Sequence, residues 1–454
     1  MKHHSRRDFL KQAALTGAAL GFPTIVPAQV IAGKGKVMPN DRVNVGQIGC
    51  GSIADYYHRS NLKQMADVRV VATCDAFPRR AREMAAQYNK DYGGEVTTVN
   101  GDFRELLGRP DIDAVVIAAH DNWHTPMSIA AVRAGKDVYC QKPLALDYSL
   151  TPLLREEVKK RGRVFQFGTQ YRSNARYRKM VELVRNGYIG ELKRIDVWCR
   201  NVHHDASKYA VSPYGSTDVV PVPEDFHFDM WQGPSAMAPY TVDRCTRWGG
   251  FHCPETSLGF IAGCGIHPLG VAQWGNRSDD VSPIRYEGTG NIPGAGIYRT
   301  LERWNMHCTY ANGVDLHFMD MQTAEAVVTQ YKPGWNGGDG VVFHGTKGWI
   351  GNISDAFQAS ERDLWRIEIG ANEEHLPVST EHNRNFIDCV KSRAETMCPV
   401  EMAIRCDVIC HLTRAAALTG KTVEWDPAKE LVTNNAEAAK MMGPQPFRDQ
   451  WKVW

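Results

Sequence analysis

Val43-Asn44-Val45-Gly46-Gln47-Ile48-Gly49-Cys50-Gly51-Ser52-Ile53-Ala54 is the stretch whose reading decides the fold of this chain. An apolar, β-branched run of strand length opens into glycines at the first and third positions of a six-residue fingerprint, with a small residue at the sixth. Gly49 permits a tight turn and Gly51 lets the backbone approach a pyrophosphate. Ala54 lets the following helix, Ser52 to about Met65, pack close to the strand. The first turn of that helix, at Ser52 and Ile53, offers free N–H groups and partial positive charge to phosphates. The next apolar run, Val68–Cys74, ends in Asp75, near the spacing of about 20 residues expected for the acid that binds the adenosine ribose. A carboxylate there repels a 2′-phosphate and favours NAD over NADP; Arg79 and Arg80 are near enough in sequence to weaken that preference but are expected on the exposed face of the next helix.

Outward from that stretch, residues 41–167 keep a strand-then-helix rhythm. Strands are expected at Val43–Ile48, Val68–Cys74, Val96–Val99, Ala114–Ala118, Asp137–Cys140 and Val164–Phe167, with helices between them, including Pro78–Tyr88 and Trp123–Ala134. The alternation calls for a doubly wound parallel sheet with right-handed crossovers, whose ligands collect beyond the carboxyl ends of the strands. Asp75, the segment Ala118–His124 and the segment Cys140–Pro143 sit at those ends.

Beyond about residue 190 the pattern changes. Leu192–Cys199, Trp304–Tyr310, Val314–Phe318, Ala324–Tyr331, Val341–Phe343 and Trp349–Ile350 alternate with turn signals such as Ala311-Asn312-Gly313, which predicts a mostly antiparallel sheet. Helices Ile266–Trp274, His382–Ser392 and Val400–Leu418 are expected to cover one face of it. The stretch 203–260, rich in Pro, Gly, His and Trp without periodicity, predicts a long loop lining a site or an oligomer contact. The expected organisation is α/β, a Rossmann domain over 41–167, a C-terminal α/β domain over 168–430, and a tail over 431–454 packed on the body.

The chain has 454 residues, 53 Lys plus Arg against 51 acids, and 43% hydrophobic residues. This is enough for two cored domains, and the balance gives no support for nucleic-acid binding. The twelve cysteines show no C-x-x-C spacing and are expected to be small core hydrophobes. Residues 1–28 carry Ser5-Arg6-Arg7-Asp8-Phe9-Leu10-Lys11, a mildly apolar run to Val26 and the exit Val26-Pro27-Ala28, which predicts a twin-arginine export signal, with 29–40 as linker. The run is too short and too weak for a stable membrane span. An exported dinucleotide enzyme has no free NAD pool to draw on, so the cofactor is expected to be held tightly, and the translocase is an expected partner.

Several segments together resemble the Gfo/Idh/MocA oxidoreductases: Gly49-Cys50-Gly51, Asn122-Trp123-His124, Gln141-Lys142-Pro143, Gln166–Arg172, and Gly265-Ile266-His267-Pro268-Leu269. The likeness is to the exported bacterial branch and runs in order from 41 to 450. It implies a sugar or polyol beside the nicotinamide and a C-terminal sheet used in homo-oligomers, dimer or tetramer. By position, Lys142 matches the family's motif lysine and His267 its catalytic histidine. Asn122, His124, Gln141 and Lys142 are expected at the cofactor, and Tyr171 and Arg172 at the substrate. An ammonium and a proton-accepting histidine both lower the barrier to forming an alkoxide as hydride leaves. The chain departs from the family at Gln141, where an acid is usual and where the amide is expected to orient Lys142. It departs again at Gly263 and Gly270, where acids flanking His267 are common. Asp121, Asp225, Asp229 and Glu255 are the carboxylates available to substitute.

In the long loop, Trp231, Tyr240, Arg244, Trp248 and His252 fit a sugar site, with flat rings for C–H faces and Arg and His for hydroxyls. His203, His204, Asp205, His227 and Asp229 have metal-capable side chains without fixed spacing, and no metal site is expected. Three functional readings follow. The first is an exported NAD-dependent oxidoreductase acting on a secondary hydroxyl of a sugar. The second is an NAD-dependent glycosidase working through transient C3 oxidation and elimination. The third is a non-catalytic sugar-sensing or scaffold protein.

Overall fold

The structure, a computed structural model, describes residues 41–201, 210–246 and 248–454. The expected signal and linker, with His203, His204 and Asp205, lie outside the described residues.

From Val43 the chain builds a six-stranded sheet from β1 (Val43–Ile48), β2 (Val68–Cys74), β3 (Thr98–Val99), β4 (Ala114–Ile117), β5 (Asp137–Cys140) and β6 (Phe165–Phe167). All pairs are parallel and the order is β3-β2-β1-β4-β5-β6. The order reverses between β1 and β4, and a crevice opens there beyond the strand ends. All but the edge strand β3 are almost wholly buried because both faces are covered. On one face Val115, Ile117 and Val138 meet Ile129 and Val132 of the helix Asp121–Arg133. On the other, Val45, Val70 and Tyr139 meet Met84, Tyr88, Phe386 and Ile387.

Phe386 and Ile387 belong to the helix His382–Ser392, which packs on this first sheet and not on the second one as expected. Its buried residues Phe386, Ile387 and Val390 recur at helical spacing, and Tyr139 takes Phe386 edge-on at 5.7 Å. Burying such a side chain contributes about 1.5–3 kcal/mol, which fixes the helix to the sheet.

The second sheet has nine strands: β7 (Leu192–Cys199), β8 (Arg285–Asn291), β9 (Arg303–Thr309), β10 (Asp315–Asp320), β11 (Gly340–Gly345), β12 (Trp349–Ile353), β13 (Ala356–Ala359), β14 (Val423–Asp426) and β15 (Leu431–Val432). Its order is β13-β12-β11-β7-β10-β9-β8-β14-β15, antiparallel except for the parallel pair β7 and β10. Helices Ile266–Gly275 and Val400–Thr419 cover one face. The expected strand Ala324–Tyr331 is instead the helix Met321–Val328. Asp320 caps it, accepting from the N–H groups of Gln322 and Thr323, and Ala324 and Val328 bury at i, i+4. The β-branched run carried the wrong period.

All twelve cysteines are free thiols, ten of them buried. Among the described residues, no helix is long and apolar enough to cross a membrane.

Candidate active site

A cavity of ≈ 570 Å³ opens where β1 and β4 diverge. Gly49, Gly51, Ser52, Ile53 and Asp75 all line it. Gly49 has φ +85°, and a Cβ there would lie 2.3 Å from the Ala118 carbonyl oxygen, so only glycine fits this turn. At Gly51 a Cβ would meet nothing within 4 Å and would project into open space, which is what a close backbone approach to a pyrophosphate needs. The helix after it is π-helical over Ala54–Arg59 before an α-helical turn at Ser60–Leu62.

Asp75 accepts from Cys50 N–H and Phe77 N–H, both at 2.7 Å. Burial pushes its carboxyl up, against those two bonds and the Arg80 charge. Arg79 is exposed and pairs with Glu83, whereas Arg80 lines the cavity with its guanidinium 4.2 Å over the Phe77 ring. The cradle, the carboxylate at the second strand end and the cavity volume fit a dinucleotide.

The far wall comes from the long loop. Phe226 stacks on Phe77 at 3.8 Å, His227 N–H donates to the Ala76 carbonyl, and Trp231, Thr246, Gly250 and Phe251 line the cavity. Trp231 is placed by its turn. Asn122 Nδ2 donates to the Gln232 carbonyl, and Trp123 Nε1 to that of Met230. The tail closes the same turn: Arg448 donates to the Gly233 and Ser235 carbonyls, and Trp451 packs edge-on against Trp123.

Within Ala118–His124 the phase differs from expectation. Trp123 and Met127, at i, i+4 on the helix Asp121–Arg133, face the cavity together with Ala119 and His120. Asn122 and His124 turn inward: His124 is buried with its ring nitrogens at the Pro143 and Ala119 carbonyls, 2.5 and 3.1 Å away. It therefore ties the end of β4 to the Lys142 turn and is absent from the cavity wall.

Lys142 leaves the carboxyl end of β5 and donates from Nζ to the Gly263 carbonyl at 2.7 Å. Gln141 does not orient the ammonium. Its Nε2 donates to His58 Nε2 at 2.9 Å, and its Oε1 faces the Lys142 backbone N–H at 3.4 Å. His58 in turn donates from Nδ1 to Asn383, and burial holds its pKa down to about 4.

His267 opens the helix Ile266–Gly275 with its ring tilted over Tyr171 at 5.0 Å. Burial first, then the charges of Lys142, His382 and Arg200, lower its pKa to about 3, so the imidazole is neutral. Its Nδ1 has no partner among the described residues. The imidazole is thus held in its proton-accepting form within the field of the Lys142 ammonium.

Where the family often has an acid, at Gly263, a Cβ would meet nothing within 4 Å. At Gly270 the same atom would press on Met402 Cε at 3.2 Å. Of the substitute carboxylates, Asp121 is buried, accepts from Ser257 Oγ at 2.5 Å and leaves Oδ1 without a partner. Burial raises its pKa, while the His124 and Lys142 charges oppose the rise. The other three are placed elsewhere: Asp225 is exposed, Asp229 binds Arg448 and Trp451, and Glu255 pairs with Arg244.

Several expected substrate residues are structural. Arg172 is buried, grips Asp279 with both terminal nitrogens (2.8 and 2.6 Å) and donates to the Gly270 carbonyl. Arg244 is buried against Glu255, and His252 is buried and stacked on Phe260 at 5.1 Å. Tyr240 packs on Phe226 and Phe228, and Trp248 on Phe251 and Phe260. Only Trp231 of that set lines the cavity. Phe251 is a cavity residue that sequence reasoning did not assign, with the aromatic density of the long loop as the available signal, and His120 and Arg80, named there only as part of a strand-end segment and as a neighbour of Asp75, line the cavity too. Among the described residues, no group of three His, Cys, Asp or Glu could hold a metal ion.

Two family models match the chain. "Oxidoreductase family, NAD-binding Rossmann fold" covers residues 43–169, and "Oxidoreductase family, C-terminal alpha/beta domain" covers 173–453, both under the Gfo/Idh/MocA name. The myo-inositol 2-dehydrogenase of Thermotoga maritima is 33% identical over 149 residues, 33% of this chain and 42% of the relative. Inositol 2-dehydrogenase 1 of Saccharopolyspora erythraea is 34% identical over 203 residues, 44% of this chain and 58% of the relative. The chain thus spans about half the length of the curated relatives it matches. The crystal structure of GenD2 from gentamicin A biosynthesis, in complex with NAD, is similar in fold, with TM-score 0.59, 16% identity, 87% of this chain and 98% of that one.

Proposed function

Because the chain belongs to the Gfo/Idh/MocA oxidoreductase family, we propose that it is an NAD-dependent oxidoreductase acting on a secondary hydroxyl of a sugar or cyclitol. The observation that carries this reading is a neutral His267 in the field of the Lys142 ammonium, its Nδ1 without a partner among the described residues. Inositol as the class of polyol is supported by what the relatives are named for.

NAD, when bound, supplies the hydride acceptor; Gly49, Gly51, Ser52, Ile53 and Asp75 would hold it. Lys142, fixed by the Gly263 carbonyl, stabilises the developing alkoxide. His267 Nδ1 takes the hydroxyl proton. A base with so low a pKa holds that proton weakly, so the proton moves on to a neighbour or to water. Asp121, with one free oxygen, stands within the field of Lys142.

The reading extends to retention and location. Trp231, Gly250 and Phe251 wall the cavity, with Phe226 stacked on the lining residue Phe77, which supports a cofactor that stays with the protein through turnover. Retention of this kind suits export on the twin-arginine signal at residues 1–28. NAD is favoured over NADP by Asp75, and Arg80 at the cavity wall is the group that would admit a 2′-phosphate. The assembly is a homo-oligomer, dimer or tetramer.

The test is to purify the full chain, identify the bound nucleotide, and mix the protein with a panel of sugars, cyclitols and aryl glycosides while following nicotinamide reduction. Stable reduction, discharged only by a carbonyl acceptor, supports the oxidoreductase. Reduction that reverses with release of the aglycone assigns the glycosidase instead. A protein that carries nucleotide and is reduced by nothing in the panel is the sensing or scaffold protein.

A further inference from the structure

Behind the helix Asp121–Arg133, on the side away from the dinucleotide cavity, lies a second cavity of ≈ 120 Å³. Trp123 and Met127 line the first, whereas Asn122, Thr125 and Pro126 line the second, so one helix separates them. Leu258, Met441 and Phe447 form an apolar wall, and Arg414 enters from the helix Val400–Thr419.

The charged groups around this space have partners, with one exception. Asp147 accepts from Ser149 N–H and Oγ and from Gln445 N–H. Glu255 pairs with Arg244 at 2.9 Å. His411 Nε2 lies 3.2 Å from the Ala145 carbonyl and 3.3 Å from Asp407. Arg414 is half-buried and, among the described residues, makes no hydrogen bond, ion pair or ring contact. Burial lowers its pKa, with no acid opposing. Asn122, 3% exposed, also lines the space, and its Oδ1 is buried without a partner.

We propose that this cavity is a binding site for a small carboxylate, whose two oxygens pair with the Arg414 guanidinium while its hydrocarbon part rests on Leu258, Met441 and Phe447. A guanidinium partly withdrawn from water gains by meeting an anion, and its planar fork matches a carboxylate in bidentate geometry. Asn122 Oδ1 is an acceptor suited to a hydroxyl on the same molecule. An apolar cavity of ~150 Å³ admits benzene, so the body of the ligand is about benzene-sized or smaller. This site lies outside the redox machinery and stands whether or not that reading holds.

The test is calorimetric titration of the full chain with benzoate and with butyrate, using benzamide and butyramide as neutral controls. The carboxylates should bind saturably, one per chain, and at least tenfold more tightly than the amides. Arg414→Met should lose at least tenfold in carboxylate affinity with unchanged nucleotide content and a melting temperature no lower than the parent's, since among the described residues the side chain has no partner to lose. Arg414→Lys should retain part of the affinity. Ala236→Trp, an exposed position at the mouth of the cavity, should block binding without touching Arg414. Absence of saturable binding for both carboxylates in the parent, equal affinity for the amides, or equal affinity in Arg414→Met would overturn the proposal.

Discussion

Gly49 and Gly51 stand two residues apart and are glycine for different reasons. At Gly49 both the positive φ and the Ala118 carbonyl at 2.3 Å exclude a side chain, so Gly49→Ala should unfold the turn and lower the melting temperature of the whole protein. At Gly51 the space is open. Gly51→Val should melt like the parent yet emerge from purification with little bound nucleotide; stoichiometric nucleotide in that variant would show that the cradle lies elsewhere. Gly263 poses a related question beside Lys142. A neutral His267 with its pKa near 3 predicts kcat/KM flat from pH 7.5 to 5, where an ordinary histidine base of pKa 6.5 would lose about 30-fold. Gly263→Asp has room for its carboxylate and should offset the ammonium's field, moving the acid limb of the profile upward; an unmoved limb would separate His267 from that field. At this scale the sequence was informative where backbone geometry dictates the residue, as at Gly49, Gly51 and Asp75. It misled where side-chain chemistry alone was read. Arg172 and Arg244 have the right chemistry for a sugar, but Asp279 and Glu255 claim them, and no local pattern reveals a partner more than a hundred residues away, as for Arg172.

The helix Asp121–Arg133 is the element on which the site turns. One face supplies Trp123 and Met127 to the dinucleotide cavity, and its first turn anchors the Trp231–Pro234 turn through Asn122 and Trp123. Gly233 sits at φ +55°, where a Cβ would lie 2.3 Å from the Trp123 ring. Gly233→Ala should therefore cost roughly 1–3 kcal/mol and weaken nucleotide retention, because displacing this turn moves Trp231. A variant that holds nucleotide as tightly as the parent would mean that the turn does not close the cavity. Elements were legible where period and caps agreed, as for Leu192–Cys199 and His382–Ser392. Met321–Val328 was misread because its apolar β-branched run suggested a strand, while the capping contribution of Asp320 passed unused. The docking of His382–Ser392 on the first sheet was invisible too, since amphipathicity states that a face is buried and not against what.

At the scale of the whole molecule, strand order and the location of the crevice followed from the strand-helix alternation, since a doubly wound sheet leaves few topologies. The walling of that crevice by Trp231, Thr246, Gly250 and Phe251, braced by the tail, did not follow, because it rests on long-range contacts such as Phe77 with Phe226 and Trp123 with Trp451. The fold also buries ionisable groups: His58 and His382 lie against Tyr139 of the first sheet, and His120 lies against Trp231 and Phe251. His58, His120 and His382 are held neutral by burial, each with its pKa lowered to about 4. Below pH 6.5 the unfolded chain takes up protons at these positions that the folded chain refuses, so stability present at neutral pH is lost as pH falls towards 4. Each contributes up to roughly 3 kcal/mol over that range. The melting temperature should drop steeply between pH 6.5 and 4, and a flat curve there would show that these rings are protonated in the fold.

In the proposed reaction Lys142 and His267 serve one hydride step, and rapid mixing of nucleotide-loaded protein with the best sugar of the panel measures that step directly as reduction of the bound nicotinamide. Lys142→Met and His267→Ala should each slow it by roughly 10²-fold or more with nucleotide retained, and the double variant should lose far less than the product of the two, because both act in the same transition state. Single variants that reduce the nicotinamide at the parent's rate would contradict the account.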